Sequence, residues 1–151
     1  MNNNLLIIGA GGHGRVVKET AVLLARFEKI DHLDDQSPGC IGKCSAYPNF
    51  TGAYKYAFTA IGDPALRREW NARLEAAGYE LASIIHPGAC VSPSVRVASG
   101  VFIGAGAVVN TNAIIAEGAI IGIGALVDHD AHVCEYGYLK AGEVVAAGAS
   151  I

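Results

Sequence analysis

The sequence lacks several features that mark particular classes of protein. It has no run of about 18 apolar residues, so no membrane insertion is expected. Glycine breaks the apolar start of the chain too early for a signal peptide. It also has no basic cluster, and the formal charge is -3. Neither nucleic acid nor an anionic membrane is therefore an expected partner, and the chain is predicted to be cytoplasmic.

Aromatic residues make up only 7% of the 151 residues, and there are four cysteines. Cys40 and Cys44 have no second cysteine pair with which to complete a metal site, and Cys90 and Cys134 stand far apart in the chain. We expect four free thiols. The hydrophobic content of 52% is ample for a core, which excludes a disordered tail.

A six-residue repeat fills the C-terminal half. Every sixth residue from Ile85 to Ile151 is isoleucine, leucine or valine, and most are followed four positions later by alanine or glycine. This period fits neither a helix, at about 3.6 residues per turn, nor a lone strand, at about 2. It is typical of a parallel β-helix with aliphatic side chains pointing inward. Four glycines are expected at the turns with positive φ, namely Gly100, Gly106, Gly118 and Gly124.

The N-terminal half begins with a pattern that predicts a strand, a glycine-rich loop and a helix. The apolar residues 4–8 precede the loop over residues 9–14, and an amphipathic stretch follows over residues 15–27. Such a loop brings backbone N–H groups and a helix N-terminus close to a phosphate. We therefore assign Gly11, Gly12, His13 and Gly14 to a nucleotide-binding site.

Two acidic residues follow the second predicted strand, which covers residues 29–33. Asp34 and Asp35 lie about twenty residues after the loop, where such folds place an acid that binds the ribose or the base. The alternative, a tight turn followed by two surface acids, remains open.

The remaining N-terminal segments complete a small α/β domain. A third strand is predicted over residues 57–61 and a fourth over residues 80–84, with a helix capped by Asp63 between them. Ile61 and Gly62, where the third strand ends, are assigned to the substrate site. This is half of a full dinucleotide fold, so a mononucleotide such as the UDP of a nucleotide sugar fits better than NAD.

The fold class expected from these patterns is α/β plus β. A small Rossmann-like domain is predicted over residues 1–83, followed by a parallel β-helix over residues 84–151. Several stretches resemble the nucleotide-amino-sugar acetyltransferases of bacterial glycan biosynthesis and the related sialic-acid O-acetyltransferases, both hexapeptide-repeat acyltransferases. These stretches are IIGAGGHGRVV at the start, LDD at 33–35, AIGDPALRREW at 60–70, IIHPGACVSPSV at 84–95 and ALVDHDAHVCEYGYLKAGEVVAAG at 125–148.

The resemblance implies a left-handed β-helix that forms a homotrimer. It also implies that the N-terminal domain binds a UDP-sugar, that His13 approaches the nucleotide or sugar of a neighbouring subunit, and that acetyl-CoA lies between adjacent helices. There the cofactor would contact Gly142 and Ala147, with a backbone N–H of the Ala146 to Gly148 stretch facing the thioester. Transfer would go directly to the sugar amine without a metal.

His129 is the candidate general base. It interrupts a repeat of apolar and small residues, and it has Asp128 and Asp130 as neighbours. A carboxylate beside an imidazole can orient the ring and stabilise its cationic form. In the family that the sequence resembles, the matching histidine is the base, and the acid that follows it, here Asp130, orients it. A solvated turn in the coil is the alternative.

Two departures from the resemblance concern the C-terminal half. Tyr138 stands where relatives often carry a second histidine, and Ala147 stands where they often have glycine. Relatives also add further coils, and the sequence ends at Ile151, an inward-facing position. We therefore expect the β-helix to be incomplete at its C-terminus and its acetyl-CoA cleft to be smaller.

The sequence favours an acetyltransferase that acts on the amino group of a UDP-linked amino sugar. An O-acetyltransferase for a sialic acid or another sugar hydroxyl is the alternative among enzymes. A nucleotide-sugar-binding or scaffold protein without catalysis is the alternative from another class.

Overall fold

The computed structural model describes residues 2–151, which divide into two compact units. The first unit ends at Ala82 and the second is Ser83–Ile151. The division falls one residue before the boundary expected between residues 83 and 84.

The first unit contains one parallel sheet with the strand order β2-β1-β3-β4. All four residues of its first strand are buried, as expected for a parallel strand covered on both faces. Its elements, in chain order, are β1 (Leu5–Ile8), α1 (Gly12–Leu23), β2 (Ile30–Leu33), a 3-10 helix (Cys44–Phe50), β3 (Tyr56–Thr59), α2 (Pro64–Ala76) and β4 (Glu80–Leu81).

The core of the first unit lies where α2 and the 3-10 helix pack near the sheet. Trp70 and Leu74 of α2 share an apolar cluster with Leu6 and Ile8 of β1. The N-terminus of α2 is capped as predicted, because the Asp63 carboxylate accepts a hydrogen bond of 2.9 Å from a backbone N–H in its first turn.

Three elements of the first unit differ from the prediction. Helix α1 begins at Gly12 rather than residue 15, and it ends before Ala25, whose φ of 51° is left-handed. The 3-10 helix was not predicted. The predicted strand over residues 80–84 is wrong as one strand, because Glu80–Leu81 pairs with β3 whereas Ile84–Ile85 begins the second unit.

The second unit is a parallel β-helix of two-residue strands. Except for the last three, each strand pairs with the strand 18 residues further on, as Ile84 does with Phe102, so three strands make one coil and the coil has three faces. The strands are β5 (Ile84–Ile85), β6 (Cys90–Val91), β7 (Arg96–Val97), β8 (Phe102–Ile103), β9 (Val108–Val109), β10 (Ile114–Ile115), β11 (Ile120–Ile121), β12 (Leu126–Val127), β13 (His132–Val133), β14 (Tyr138–Leu139) and β15 (Val144–Val145).

The repeat predicted from the sequence forms the core of this unit. The second residue of each strand points inward, and those from Ile103 to Val145 are buried. Alanines such as Ala107 and Ala125, which follow four positions later, are fully buried in the same core. The four glycines expected to have positive φ do so, with values from 62° to 67°.

Candidate active site

The glycine loop of the first unit connects β1 to α1, and two of its glycines are required by packing. Gly9 has a φ of 101°, and a Cβ on it would lie 2.8 Å from the Ala60 carbonyl oxygen. A Cβ on Gly14 would lie 2.2 Å from the Gly9 carbonyl oxygen. No other residue fits at Gly14 without moving the loop, so this predicted site residue has a structural reason to be glycine.

The two glycines between them face open space. A Cβ on Gly11 or Gly12 would meet no atom within 4 Å. Gly11 is the N-cap of α1 but has no side chain to cap the helix, and the first turn contains no acidic residue. The N-terminal N–H groups of α1 are therefore accessible to an anion such as a phosphate.

Asp34 holds the glycine loop in place. One of its oxygens accepts a hydrogen bond of 2.8 Å from the Ala10 N–H, and the other accepts from the N–H groups of Gln36 and Ser37, each at 2.9 Å. These three donors lower the pKa of Asp34 to about 2. The carboxylate thus ties the loop to the turn after β2, and both of its oxygens already accept protein N–H groups.

Asp35 is the next residue of that turn and is exposed. One carboxylate oxygen accepts a hydrogen bond of 3.0 Å from the Cys44 N–H at the start of the 3-10 helix. Its other oxygen can accept from a ligand. Of the two predicted acids, Asp35 therefore has more capacity to bind a base or ribose.

A cavity of about 350 Å³ opens beside the glycine loop. Arg15 and Lys18 of α1 line one part of it, and His32, Ser37 and Cys40 line another. Two cations next to a helix N-terminus suit a diphosphate. Arg15 and Lys18 were not predicted as site residues from the sequence, although their spacing of three residues places both on one face of a helix.

The side chain of His32, on β2, forms a hydrogen bond with the glycine loop. Its Nδ1 lies 2.8 Å from the Gly9 carbonyl oxygen, which can only accept, so Nδ1 carries the proton and Nε2 is an acceptor. Burial lowers the pKa of His32. The sequence alone assigned no role to this residue, because nothing in its neighbourhood shows that its ring reaches back to the loop.

His13 is half-buried and packs edge-on against Phe58, with ring centroids 6.5 Å apart. Burial, and then the positive charge of Arg67, lower the pKa of His13 to about 4, so the ring is neutral at pH 7. Arg67 is fully buried and donates to the carbonyl oxygens of Ile61 and Gly62 at 2.8 and 2.9 Å. These two predicted site residues therefore hold Arg67 through their backbone.

In the second unit, Asp128, His129 and Asp130 form an exposed polar cluster at one corner of the β-helix. His129 Nδ1 lies 2.8 Å from an Asp130 carboxylate oxygen, and the His129 N–H donates to Asp128 at 2.7 Å. Asn110, one coil earlier, donates to the same Asp128 oxygen at 3.1 Å. The hydrogen bond to Asp130 raises the pKa of His129, and it leaves Nε2 to accept a proton.

Asp130 has a left-handed backbone conformation, which is uncommon for a residue other than glycine. Every sixth residue from Gly100 to Gly148 has a positive φ, and six of these nine positions are glycine. Asp130, with φ of 59°, is one of the three exceptions, beside Asn112 and Tyr136. A left-handed residue other than glycine costs about 1 kcal/mol. Asp130 has this conformation despite its cost, and its carboxylate forms the hydrogen bond that orients His129.

A groove of about 220 Å³ lies next to this cluster. Val108, Leu126 and Val144, from one face of three successive coils, line it together with Asn110 and Asp128. Val144 is 65% exposed, so the groove presents an aliphatic stripe to its surroundings. Apolar surface beside a polar cluster is typical of a binding site.

The other predicted cofactor contacts are exposed. Gly142 has a φ of 71°, and a Cβ on it would meet no atom within 4 Å. Ala147 follows one coil after His129, as the register of β12 with β15 requires. Among residues 2–151, no group of three His, Cys, Asp or Glu side chains is placed to hold a metal, and no helix is long and apolar enough to cross a membrane.

Comparisons with known proteins agree with both units. Residues 4–74 match the family model of the PglD N-terminal domain. PerB from Caulobacter crescentus, solved with CoA and GDP-perosamine, is 29% identical, with a TM-score of 0.84 over 97% of this chain and 90% of its own. The acetyltransferase domain of PglB from Neisseria gonorrhoeae, solved with acetyl coenzyme A, is 28% identical, with a TM-score of 0.76 over 99% of this chain and 85% of its own.

A third structure, WeeI from Acinetobacter baumannii, has a TM-score of 0.61 over 97% of this chain and 92% of its own. It is 14% identical and supports the fold alone. No curated protein sequence matches the chain. The predicted fold, an α/β unit followed by a left-handed β-helix, is confirmed by these structures. The resemblance to the nucleotide-amino-sugar acetyltransferases of the hexapeptide-repeat family is therefore confirmed, since the N-terminal match and the structures of PerB and PglB together cover both units.

Proposed function

We propose that this chain transfers the acetyl group of acetyl-CoA to the amino group of a UDP-linked amino sugar, with His129 as the general base. The observation that carries this proposal is the His129–Asp130 pair, which stands at an exposed corner beside an apolar groove. The relatives support the reaction class, because PerB is solved with CoA and a nucleotide amino sugar and PglB with acetyl coenzyme A.

The proposed reaction starts with a proton transfer. Asp130 accepts a hydrogen bond from the Nδ1–H of His129, so the unprotonated Nε2 takes a proton from the attacking sugar ammonium group and the ring becomes an imidazolium. The nitrogen lone pair then forms a bond to the thioester carbonyl carbon. The tetrahedral intermediate collapses as the carbon–sulfur bond breaks, and the CoA thiolate leaves with a proton from the imidazolium. The nitrogen releases its remaining extra proton to solvent.

The thioester oxygen becomes an oxyanion in the intermediate and needs a hydrogen-bond donor. The Ala147 N–H is our candidate, since the residue is exposed one coil after His129. Gly142 is proposed to lie along the cofactor, because a side chain is absent there and its surroundings are open.

The substrate nucleotide is proposed to bind the first unit. The helix N-terminus at Gly11 and Gly12, with Arg15 and Lys18 nearby, supports a diphosphate there. Asp35 is the proposed acceptor for base or ribose. The small size of the unit favours a mononucleotide such as UDP, whereas the perosamine relative favours GDP.

A homotrimer is part of the proposal. The exposed stripe of Val108, Leu126 and Val144 is an apolar surface that another copy, or the cofactor between two copies, would cover. His13 is proposed to approach the nucleotide or sugar bound by a neighbouring subunit, as a neutral ring consistent with its lowered pKa.

The decisive experiment incubates the purified chain with acetyl-CoA and a panel of UDP- and GDP-linked amino sugars, and follows thiol release. Each amino sugar is paired with the matching sugar that has a hydroxyl in place of the amine. Release with a UDP-amino sugar alone supports the proposal. Release only with a GDP sugar changes the nucleotide, and release with the hydroxyl partners indicates O-acetylation. A chain that binds nucleotide but releases no thiol would be a binding protein.

A further inference from the structure

Equivalent backbone positions stack in four successive coils at the corner that carries His129. They are Pro93, Thr111, His129 and Ala147. The strand register places them 18 residues apart, because Cys90 pairs with Val108, Val108 with Leu126 and Leu126 with Val144. The four positions can therefore be compared directly.

In the first three coils this position offers no open donor. Pro93 has no N–H. The Thr111 N–H donates to Asn110 Oδ1 at 2.8 Å, and the His129 N–H donates to Asp128 Oδ1 at 2.7 Å. In the second and third coils, the side chain of the preceding residue thus accepts the bond.

The fourth coil differs, because Ala146 precedes Ala147 and has no side-chain acceptor. The hydrogen bonds between coils use the next residue instead, with Asp130 N–H donating to the Thr111 carbonyl oxygen and Gly148 N–H to that of His129. The Ala147 N–H therefore has no acceptor within residues 2–151, and it is exposed.

We infer that Ala146 is a positioning residue, whose lack of a side-chain acceptor keeps the Ala147 N–H open for the thioester oxygen. The inference rests on the proposed acetyl transfer. It makes the lack of a side-chain acceptor at Ala146 a functional requirement rather than a matter of packing, since the two preceding coils hold Asn110 and Asp128 at the same position.

The inference is tested with Ala146→Asn, which restores the arrangement of the second coil. We expect kcat to fall about 100- to 1,000-fold, as for the removal of one oxyanion donor, with KM for acetyl-CoA within a few-fold. Ala146→Leu is the matched control, because leucine has the same branching as asparagine but no acceptor. It should keep kcat within a few-fold.

Amide hydrogen exchange at Ala147 is the readout besides activity. It should slow at least about 10-fold in Ala146→Asn and stay unchanged in Ala146→Leu. Equal losses of kcat in both variants, or slowed exchange with normal kcat, would overturn the inference. If the unaltered chain transfers no acetyl group, the proposed function fails. The inference is then decided by the Ala147 amide resonance, which acetyl-CoA should shift in the unaltered chain but not in Ala146→Asn, and which stays still if the inference is wrong.

Discussion

Glycines occupy tight backbone positions in both units, but for different reasons. In the glycine loop each glycine has its own task, since Gly14 makes room for the Gly9 carbonyl whereas Gly11 leaves space in front of a helix N-terminus. In the β-helix six glycines adopt a positive φ at positions six residues or a multiple of six apart, whereas Gly104 and Gly122 leave room for the backbone of the next coil. The proposed binding residues of the first unit therefore include the glycines themselves, whereas the proposed base of the second unit lies where the repeat is broken.

Replacing the residue that breaks the repeat should have the largest effect. His129→Ala removes the proposed base, so we expect kcat to fall about 100- to 10,000-fold, with nucleotide affinity within a few-fold. Thiol-release kinetics and calorimetry measure the two quantities. His132→Ala, a half-buried histidine of β13, is the control and should keep normal turnover. Near-normal turnover in His129→Ala would assign the base to another residue.

Gly14→Ala separates packing from binding in the glycine loop. The added Cβ collides with the Gly9 carbonyl, so we expect the free energy of unfolding of the first unit to fall by about 3 kcal/mol. Chemical denaturation followed by the fluorescence of Trp70, the single tryptophan and part of this core, measures it. Gly12→Ala is the control, because its Cβ meets open space, and it should unfold within about 1 kcal/mol of the unaltered chain. Equal stability of both variants would contradict the packing argument.

Gly11→Val tests the open side of the same loop. Its Cβ meets no atom within 4 Å, and the side chain would occupy the space proposed for the phosphate, so UDP affinity should fall at least about 10-fold with little change in stability. Asp35→Ala should also weaken UDP binding. Calorimetry decides, with Gly52→Val as control. Gly52 is exposed in the same unit, and its neighbour Ala53 contacts Asn4, just before β1, whereas the glycine loop follows β1. Unchanged binding in both variants would make the loop a tight turn only.

Asp130→Asn should produce the smallest effect. Asn112 holds the same φ one coil earlier, so the backbone tolerates asparagine. Loss of the carboxylate removes the main cause that raises the pKa of His129. The acid limb of the pH profile of kcat/KM, below which His129 is protonated and cannot accept a proton, should therefore move to lower pH. An acid limb that stays in place would show that Asp130 does not set the pKa of the base.

The repeat was the part of the fold most readable in the sequence, because each aliphatic residue at a six-residue spacing meets the same surroundings in the coil. The sequence did not predict that residues 80–85 divide between the two units. Glu80 and Leu81 find their partners in β3 and Ile84 and Ile85 find theirs in β8, and the local sequence does not specify either pairing.

The candidate site shows the same limit. His129 was visible as a polar interruption of an apolar pattern, and the glycine loop was visible from its spacing. The roles of His32, Arg67 and Ala146 were not, because each depends on contacts with residues distant in the chain or on a comparison between stacked coils.

By itself, the sequence determined the two-part architecture, the period of the β-helix and the candidate base, since these follow from spacing and residue type along the chain. Only the tertiary structure decided that both Asp34 oxygens accept backbone N–H groups and that a Cβ has room at Gly11 but not at Gly14. It also decided that, among the stacked positions 93, 111, 129 and 147, Ala147 alone has an available N–H. The physical reason is that hydrogen-bond saturation and free space depend on atoms brought together by folding.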